Sequence, residues 1–271
     1  MNILYCGDKN IEDGLYISIK SILKHTSEIL NIYVLTMRFE DYKPVSDKVI
    51  NELNSIVKKI NKDSFVKKID ITDIYNKNVP KANVETMFTP YCMLRLYADL
   101  IPLPSKILYL DNDVVCNNNF IDFYNMDNSE YELIGVLDYY GSHFFRRKIL
   151  KKDYLNSGVL LINLDLIKET KLFEKARIMC SNKKMLLPDQ SALNKLSKKK
   201  YILPRKYNEQ KRTKDDTVFR HFSTTFRFFP YIRKQTIKPW HIENLHNILN
   251  EYRFDDILDD YVIWKETKVN E

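Results

Sequence analysis

Glycine is scarce: the 271-residue chain has five, Gly7, Gly14, Gly135, Gly141 and Gly158. No two stand at the spacing of GxGxxG, and GxxxxGK[ST] does not occur. The glycine-rich loops that cradle dinucleotides and nucleoside triphosphates are therefore missing. A bound nucleotide would need its phosphates held in another way. Cysteine is sparse too. Cys6, Cys92, Cys116 and Cys180 lie far apart with no CxxC pair, which argues against zinc ribbons and thioredoxin-like chemistry. Free thiols in a reducing compartment are the simple reading. No apolar run nears the roughly 18 residues of a membrane-spanning helix. The opening "MNILYCGDKN" lacks the basic start, long apolar centre and small-residue cleavage site of a signal peptide. These absences point to a cytoplasmic protein. Repeats and Gly/Ser-rich or Pro-rich linkers are also missing, so no boundary divides the chain in two. The expected organisation is one domain over residues 1–230 with a C-terminal extension over 231–271.

What is present suits a folded enzyme. Hydrophobic residues make up 44%, enough for a substantial core. The formal charge of +7 is concentrated in "RRKILKK", "KLSKKK", "RKYNEQKRTK" and "FRFFPYIRK", while "FDDILDD" near the end is acidic. A basic face can meet nucleic acid, anionic lipid or a phosphorylated small molecule, or be a solvated lysine-rich surface.

Apolar runs at 2–6, 31–36, 66–71, 107–110, 131–138 and 158–164 read as strands. Several are continuous and not alternating, as strands covered on both faces are. Apolar residues at helical spacing predict helices over 13–26, 45–62, 164–184 and 188–200, with Ser46 or Asp47 as N-cap of the second. Strands alternating with helices give an α/β fold with a largely parallel sheet.

The stretch "ILYLDNDVVCN" runs straight from an apolar strand into two carboxylates, Asp111 and Asp113. In an extended segment alternate side chains face the same way. Two like charges held that close call for a cation. Ligands of open α/β sheets bind beyond the carboxyl ends of the strands, where Asp111 stands. A hard divalent cation completed by phosphate oxygens fits the pair; a polar turn is the plain alternative.

Together with "YCGDKN", "NSGVLLINL", "DQSALN" and a late "H…KPW", this stretch resembles glycosyltransferase family 8, which includes bacterial lipooligosaccharide galactosyltransferases and glycogenin. The motifs span residues 5–240 in the family's order and at similar spacing. The resemblance implies a GT-A type single domain with a Rossmann-like, mostly parallel central sheet. It places Asp8 and Asn10 at the base and ribose of the donor nucleotide, usually uridine. It brings Arg95 to the donor from a helix, and sets Asn112 among the nucleotide-sugar ligands. Asp138 stands near donor sugar and acceptor. Asn156 and Ser157, just ahead of a buried strand, face the donor sugar. Asp189 and Gln190 follow Pro188 at a helix N-terminus, where exposed amides favour an anionic or hydroxyl-rich ligand. In the family reading Asp189 bonds sugar hydroxyls and Gln190 is on the reacting face, so Gln190, Asp189 and Asp138 form the catalytic set. His221 is the third metal ligand with Asp111 and Asp113, and Lys238 meets the diphosphate. An imidazole beside two carboxylates suits Mn2+ better than Mg2+.

One departure stands out. The family often reads HxxGxxKPW, whereas residues 222–237, basic and aromatic and without the glycine, separate His221 from Lys238. Phe226, Arg227, Phe228, Phe229, Tyr231, Arg233 and Lys234 of this segment suit an acceptor-facing or membrane-facing surface, or a lid over the donor.

The expected reaction is transfer of a hexose, glucose or galactose, from a UDP-sugar to a hydroxyl with retention at the anomeric carbon. The expected acceptor is a glycan or lipid-linked glycan, met at the inner face of the membrane, and nucleic acid is not an expected partner. Two other classes fit parts of the pattern. A metal-dependent nucleotidyltransferase would share the acidic pair but not "DQSALN" or "H…KPW". A non-enzymatic basic surface-binding protein would leave Asp111 and Asp113 incidental.

Overall fold

A computed structural model of the chain describes residues 1–85, 89–139, 153–227 and 233–269. Its strands are β1 (Asn2–Cys6), β2 (Asn31–Thr36), β3 (Phe65–Asp70), β4 (Lys106–Leu110), β5 (Val114–Cys116), β6 (Leu133–Leu137), β7 (Leu155–Asn163), β8 (Lys200–Leu203), β9 (Phe219–His221), β10 (Thr225–Arg227) and β11 (Arg233–Gln235). Seven of them form one sheet in the order β3-β2-β1-β4-β7-β6-β8. Its pairs are parallel except for β7, which runs against both β4 and β6.

Both faces of the sheet are covered, which is why its strands read as continuous apolar runs. Ile3, Tyr5, Leu108, Leu110, Val159 and Leu161 join one core, beneath the Glu12–His25 and Asp47–Ile60 helices. The alternate residues Leu4, Ile107, Tyr109, Leu160 and Ile162 join the other, against the Pro90–Leu100 3-10 helix and the Leu172–Asn182 helix. Ser46 caps the Asp47–Ile60 helix, accepting from the Val49 amide at 3.4 Å.

The reversed strand decides where the site lies. Because β7 runs backwards, its first residues lie beside the last residues of β4 and β6. The Asp111 amide donates to Gly158 O at 2.8 Å and the Asp138 amide to Tyr154 O at 2.9 Å. Asn156 and Ser157 belong to this strand, and do not precede it as the sequence suggested.

Two further elements differ from expectation. The helix expected over 164–184 is two, Leu164–Thr170 and Leu172–Asn182, divided at Lys171, whose φ is 58°. The helix from Pro188 ends at Leu196, and Lys200–Leu203 becomes edge strand β8. Arg95 sits on a helix as expected, the 3-10 helix Pro90–Leu100.

The backbones of β10 and β11 pair antiparallel inside the 222–237 segment. Phe228, Phe229 and Tyr231, the side chains of Phe226, Arg227, Arg233 and Lys234, and the "RRKILKK" run lie outside the described residues. Near the end, the Asp255–Val269 helix lies on the Glu12–His25 helix, with Trp264 stacked on Tyr16 at 4.2 Å between ring centroids. Among the described residues no helix is long and apolar enough to cross a membrane.

Candidate active site

A cavity of about 630 Å³ opens beyond the strand ends, where β1, β4 and β6 stop and β7 begins. Every candidate residue lines it except Asn10, which is exposed and stands behind Asp8. Asn10 donates to Asp8 from its backbone amide at 3.2 Å and from Nδ2 at 2.8 Å. Burial pushes the Asp8 carboxyl up, and these hydrogen bonds work against the shift.

At the floor of the cavity Asp111, Asp113 and His221 converge, with one ligand atom from each lying within 4.8 Å of the others. The antiparallel β5–β9 ladder brings them together by pairing Val114 with His221. His221 Nε2 lies 3.3 Å from Asp113 Oδ1 and 3.8 Å from Asp111 Oδ2. Asp113 Oδ1 is buried and has no hydrogen bond unless His221 Nε2, at 3.3 Å, carries a proton. An orphaned buried acceptor costs about 1–3 kcal/mol. A cation held by the three residues would satisfy it, so this donor set fits a divalent metal. Lys238 Nζ contacts Asp113 Oδ2 and donates to Phe222 O at 3.1 Å. Burial opposes ionisation of Asp113, but Lys238, and His221 when its ring is protonated, outweigh it and hold the carboxyl well below its usual range.

Glycine makes room for this convergence. A Cβ on Gly158 would come within 2.2 Å of His221 Cε1 and 2.8 Å of Asp111 Oδ2. On Gly14 it would meet Asn112 O at 2.4 Å and the Trp240 ring at 2.6 Å.

Arg95 links the carboxylate corner to the helix corner. Its guanidinium donates to Asp111 Oδ1 at 3.0 Å and to Ser157 O, pairs with Asp189 Oδ2 at 3.3 Å, and lies 3.9 Å above the centre of the Tyr109 ring. Tyr109 donates its hydroxyl to the same Asp111 oxygen at 2.6 Å. Burial raises the Asp189 carboxyl; Arg95 works against the shift and Asp111 adds to it. Burial likewise pushes up the Cys6 and Cys92 thiols that line the cavity, so they stay protonated.

Gln190 stands between two strand ends. Its Nε2 donates to Asp138 Oδ2 at 2.6 Å, and its Oε1 accepts from the Ser157 amide at 2.9 Å. The hydroxyl of Ser157 lies 3.2 Å from Asp189 Oδ2. Pro188 starts this helix, putting Asp189 and Gln190 in its first turn.

The family pattern described as "Glycosyl transferase family 8" matches residues 2–244. The chain belongs to glycosyltransferase family 8. A lipopolysaccharide 1,2-glucosyltransferase of Escherichia coli is 27% identical over 225 residues, covering 77% of this chain and 62% of that enzyme. Glycosyltransferase GlyA of Streptococcus pneumoniae is 28% identical over 195 residues, 70% of this chain and 25% of GlyA. The chain thus spans under two thirds of the length of these curated relatives. Among solved structures, galactosyltransferase LgtC in complex with donor and acceptor sugar analogues superposes with a TM-score of 0.67 at 18% identity, over 96% of both chains. An active-site mutant of LgtC gives 0.70 at 17%, again over 96% of both. At such identity the likeness is one of fold, and that fold is of the GT-A type.

The candidate site also rests on residues that sequence reasoning missed. "RKYNEQKRTK" reads as a solvated basic run, yet Asn208, Glu209 and Gln210 at its centre are buried. Gln210 clasps the backbone on either side of Asp138, accepting from the Tyr139 amide at 3.0 Å and donating to Leu137 O at 3.1 Å. Glu209 O accepts the His221 amide at 3.0 Å. Asn208 reaches both Asn156 and His221. The one signal in the sequence was "NEQ", three polar residues without a lysine inside a lysine-rich stretch.

Proposed function

We propose that this chain is a retaining hexosyltransferase that moves glucose or galactose from a UDP-sugar to a hydroxyl of a glycan or lipid-linked glycan. The observation that carries the reading is the buried Asp113 Oδ1, without a hydrogen bond, facing His221 and Asp111 in a cavity that Asp8, Arg95, Asn156, Asp189 and Gln190 also line. Asp111, Asp113 and His221 would hold Mn2+, with Mg2+ a poorer match to the imidazole. A divalent cation there supplies positive charge against the charge that grows on the leaving diphosphate. The E. coli relative, a lipopolysaccharide glucosyltransferase, supports a glycan acceptor. The setting we propose is the cytoplasm, at the inner face of the membrane.

Within this reading Asp8, with Asn10 behind it, takes the uridine ribose and base, and Asn112 lies along the nucleotide. Lys238 leaves Asp113 for the diphosphate, so the 231–271 extension is part of the working site. Arg95 holds Asp111 and Asp189 in place, while Asp189, Asn156 and Ser157 meet the sugar hydroxyls. Gln190 occupies the reacting face. An amide is a poor nucleophile, which favours a front-face route. The bond from the anomeric carbon to the phosphate oxygen breaks, and the bond to the acceptor oxygen forms on the same face. The acceptor proton passes to the departing phosphate oxygen. Asp138, bonded to Gln190, stands on the acceptor side.

The test is a UDP-sugar hydrolysis screen with Mn2+, followed by acceptor transfer with the best donor and the anomeric configuration read by NMR. Asp111→Asn and Asp113→Asn should each remove most Mn2+-dependent turnover, about 10²-fold or more, with the fold intact by circular dichroism. Full turnover in either variant, or undiminished wild-type turnover in EDTA, sinks the metal reading. Inversion at the anomeric carbon sinks retention.

A further inference from the structure

The hydrogen bonds behind His221 allow its tautomer to be assigned. The Gly158 backbone amide can only donate, and it donates to Asn156 at 3.0 Å. The Asn156 atom there is therefore the carbonyl oxygen, Oδ1. That oxygen also lies 2.9 Å from a side-chain atom of Asn208, which must be the amide nitrogen. The remaining polar atom of Asn208 is then its oxygen, and it faces His221 Nδ1 at 3.2 Å. An acceptor facing Nδ1 requires a proton on Nδ1. The lone pair of the neutral ring is then on Nε2, the nitrogen turned toward Asp113 Oδ1 and Asp111 Oδ2.

We infer that Asn208 sets the tautomer and aim of His221, through a relay that begins at the Gly158 amide and passes through Asn156, so that Nε2 is the nitrogen offered to a cation. The inference deepens the cation reading above and rests on it only for its consequence. A neutral ring pointing a lone pair at two carboxylate oxygens is unfavourable alone and favourable with a cation between them. Asn208 is fully buried, so its amide makes these bonds without competition from water. It touches none of the cavity, which makes it a positioning residue. The relay uses only the carbonyl oxygen of Asn156.

The measurement is a nitrogen-edited NMR spectrum of the imidazoles, recorded with the ring of His221 neutral, with and without Cd2+ as a diamagnetic divalent ion. The His221 resonance is identified by its loss in His221→Gln. The inference expects the proton on Nδ1; a proton on Nε2 overturns it. Asn208→Ala should lower Mn2+ affinity about 10–100-fold by titration calorimetry. Asn208→Asp keeps an acceptor for Nδ1–H but sets a carboxylate oxygen against Asn156 Oδ1, so it too should bind Mn2+ more weakly than wild type. An unchanged affinity in Asn208→Ala also overturns the inference. Should Asn208→Ala fail to fold, the wild-type spectrum still decides. If the wild type binds no divalent cation yet keeps its proton on Nδ1, the metal reading falls and the tautomer assignment stands.

Discussion

Asp189 is the residue whose environment makes the sharpest demand. It is buried beside Arg95, and burial raises its carboxyl above the ordinary range. Between the unfolded and folded titrations the folded chain therefore holds a proton that the unfolded chain has lost. The stability this group contributes is full below the unfolded range, about pH 4. It is lost as pH rises through the folded value. Asp189→Asn lacks that loss. In metal-free protein the melting midpoint of the variant minus that of wild type should become more positive from about pH 4 to about pH 7. A difference that does not change with pH would mean Asp189 titrates like an exposed carboxylate. At this scale the sequence was readable where a carboxylate ends an apolar strand, as at Asp111 and Asp138. It was not readable at Asn208 and Gln210, because flanking lysines and arginines mask a buried polar turn as surface.

Elements were legible where period and length agreed. The runs that became β1, β2 and β4 needed no tertiary knowledge. The direction of β7 did, because an apolar run looks the same forwards and backwards. Its reversal explains why "NSG" lies inside a strand and still faces the cavity. Strand β8 was hidden because Lys200 and the lysines before it continue the polar face of the preceding helix; only pairing with β6 makes it a strand. The break at Lys171 was hidden for another reason: neither glycine nor proline marks it. Lys171 caps the preceding helix in the left-handed region, donating its amide to the carbonyls of Ile167 and Lys168. Glycine reaches that conformation without the Cβ penalty. Lys171→Gly should therefore stabilise the protein by about 0.5–1 kcal/mol, read from the urea midpoint. The Lys171–Glu174 pair it removes is exposed and contributes little. A destabilised variant would show that the lysine stem, and not its backbone angle, matters here.

Across the whole molecule, the acidic end of the chain finds its partner in the first helix. Asp256 and Asp260 pair with Lys24 and Lys20, each at 2.6 Å, and Lys265 pairs with Asp13. These pairs are largely exposed and together set register more than energy. The apolar centre carries the stability. Trp264 stacks on Tyr16, and its Nε1 donates to Glu52 at 2.9 Å. Trp264→Ala should cost about 3–5 kcal/mol in urea unfolding. Raising the salt should shift the wild-type midpoint far less than that. A loss below about 1 kcal/mol would mean the terminal helix is only loosely docked. The sequence suggested a C-terminal extension, but the contact itself depends on which charges meet across a fold, and no local pattern states that.

Scarce glycine has a last consequence, for the kinds of substitution this protein can accept. None of the described glycines has a positive φ. Each is therefore a clearance and not a hinge: it marks a place where neighbouring atoms come closer than a methyl group permits. Asparagine replaces glycine well where a chain turns left-handed, because its short amide tolerates that backbone. It offers nothing where the need is empty space. Gly158→Asn should then damage Mn2+ binding at least as much as Gly158→Ala, since both put a carbon against the His221 ring. Calorimetry on the two variants tests this directly: an asparagine variant that binds better than the alanine one would return Gly158 to the ordinary role of a flexible turn residue.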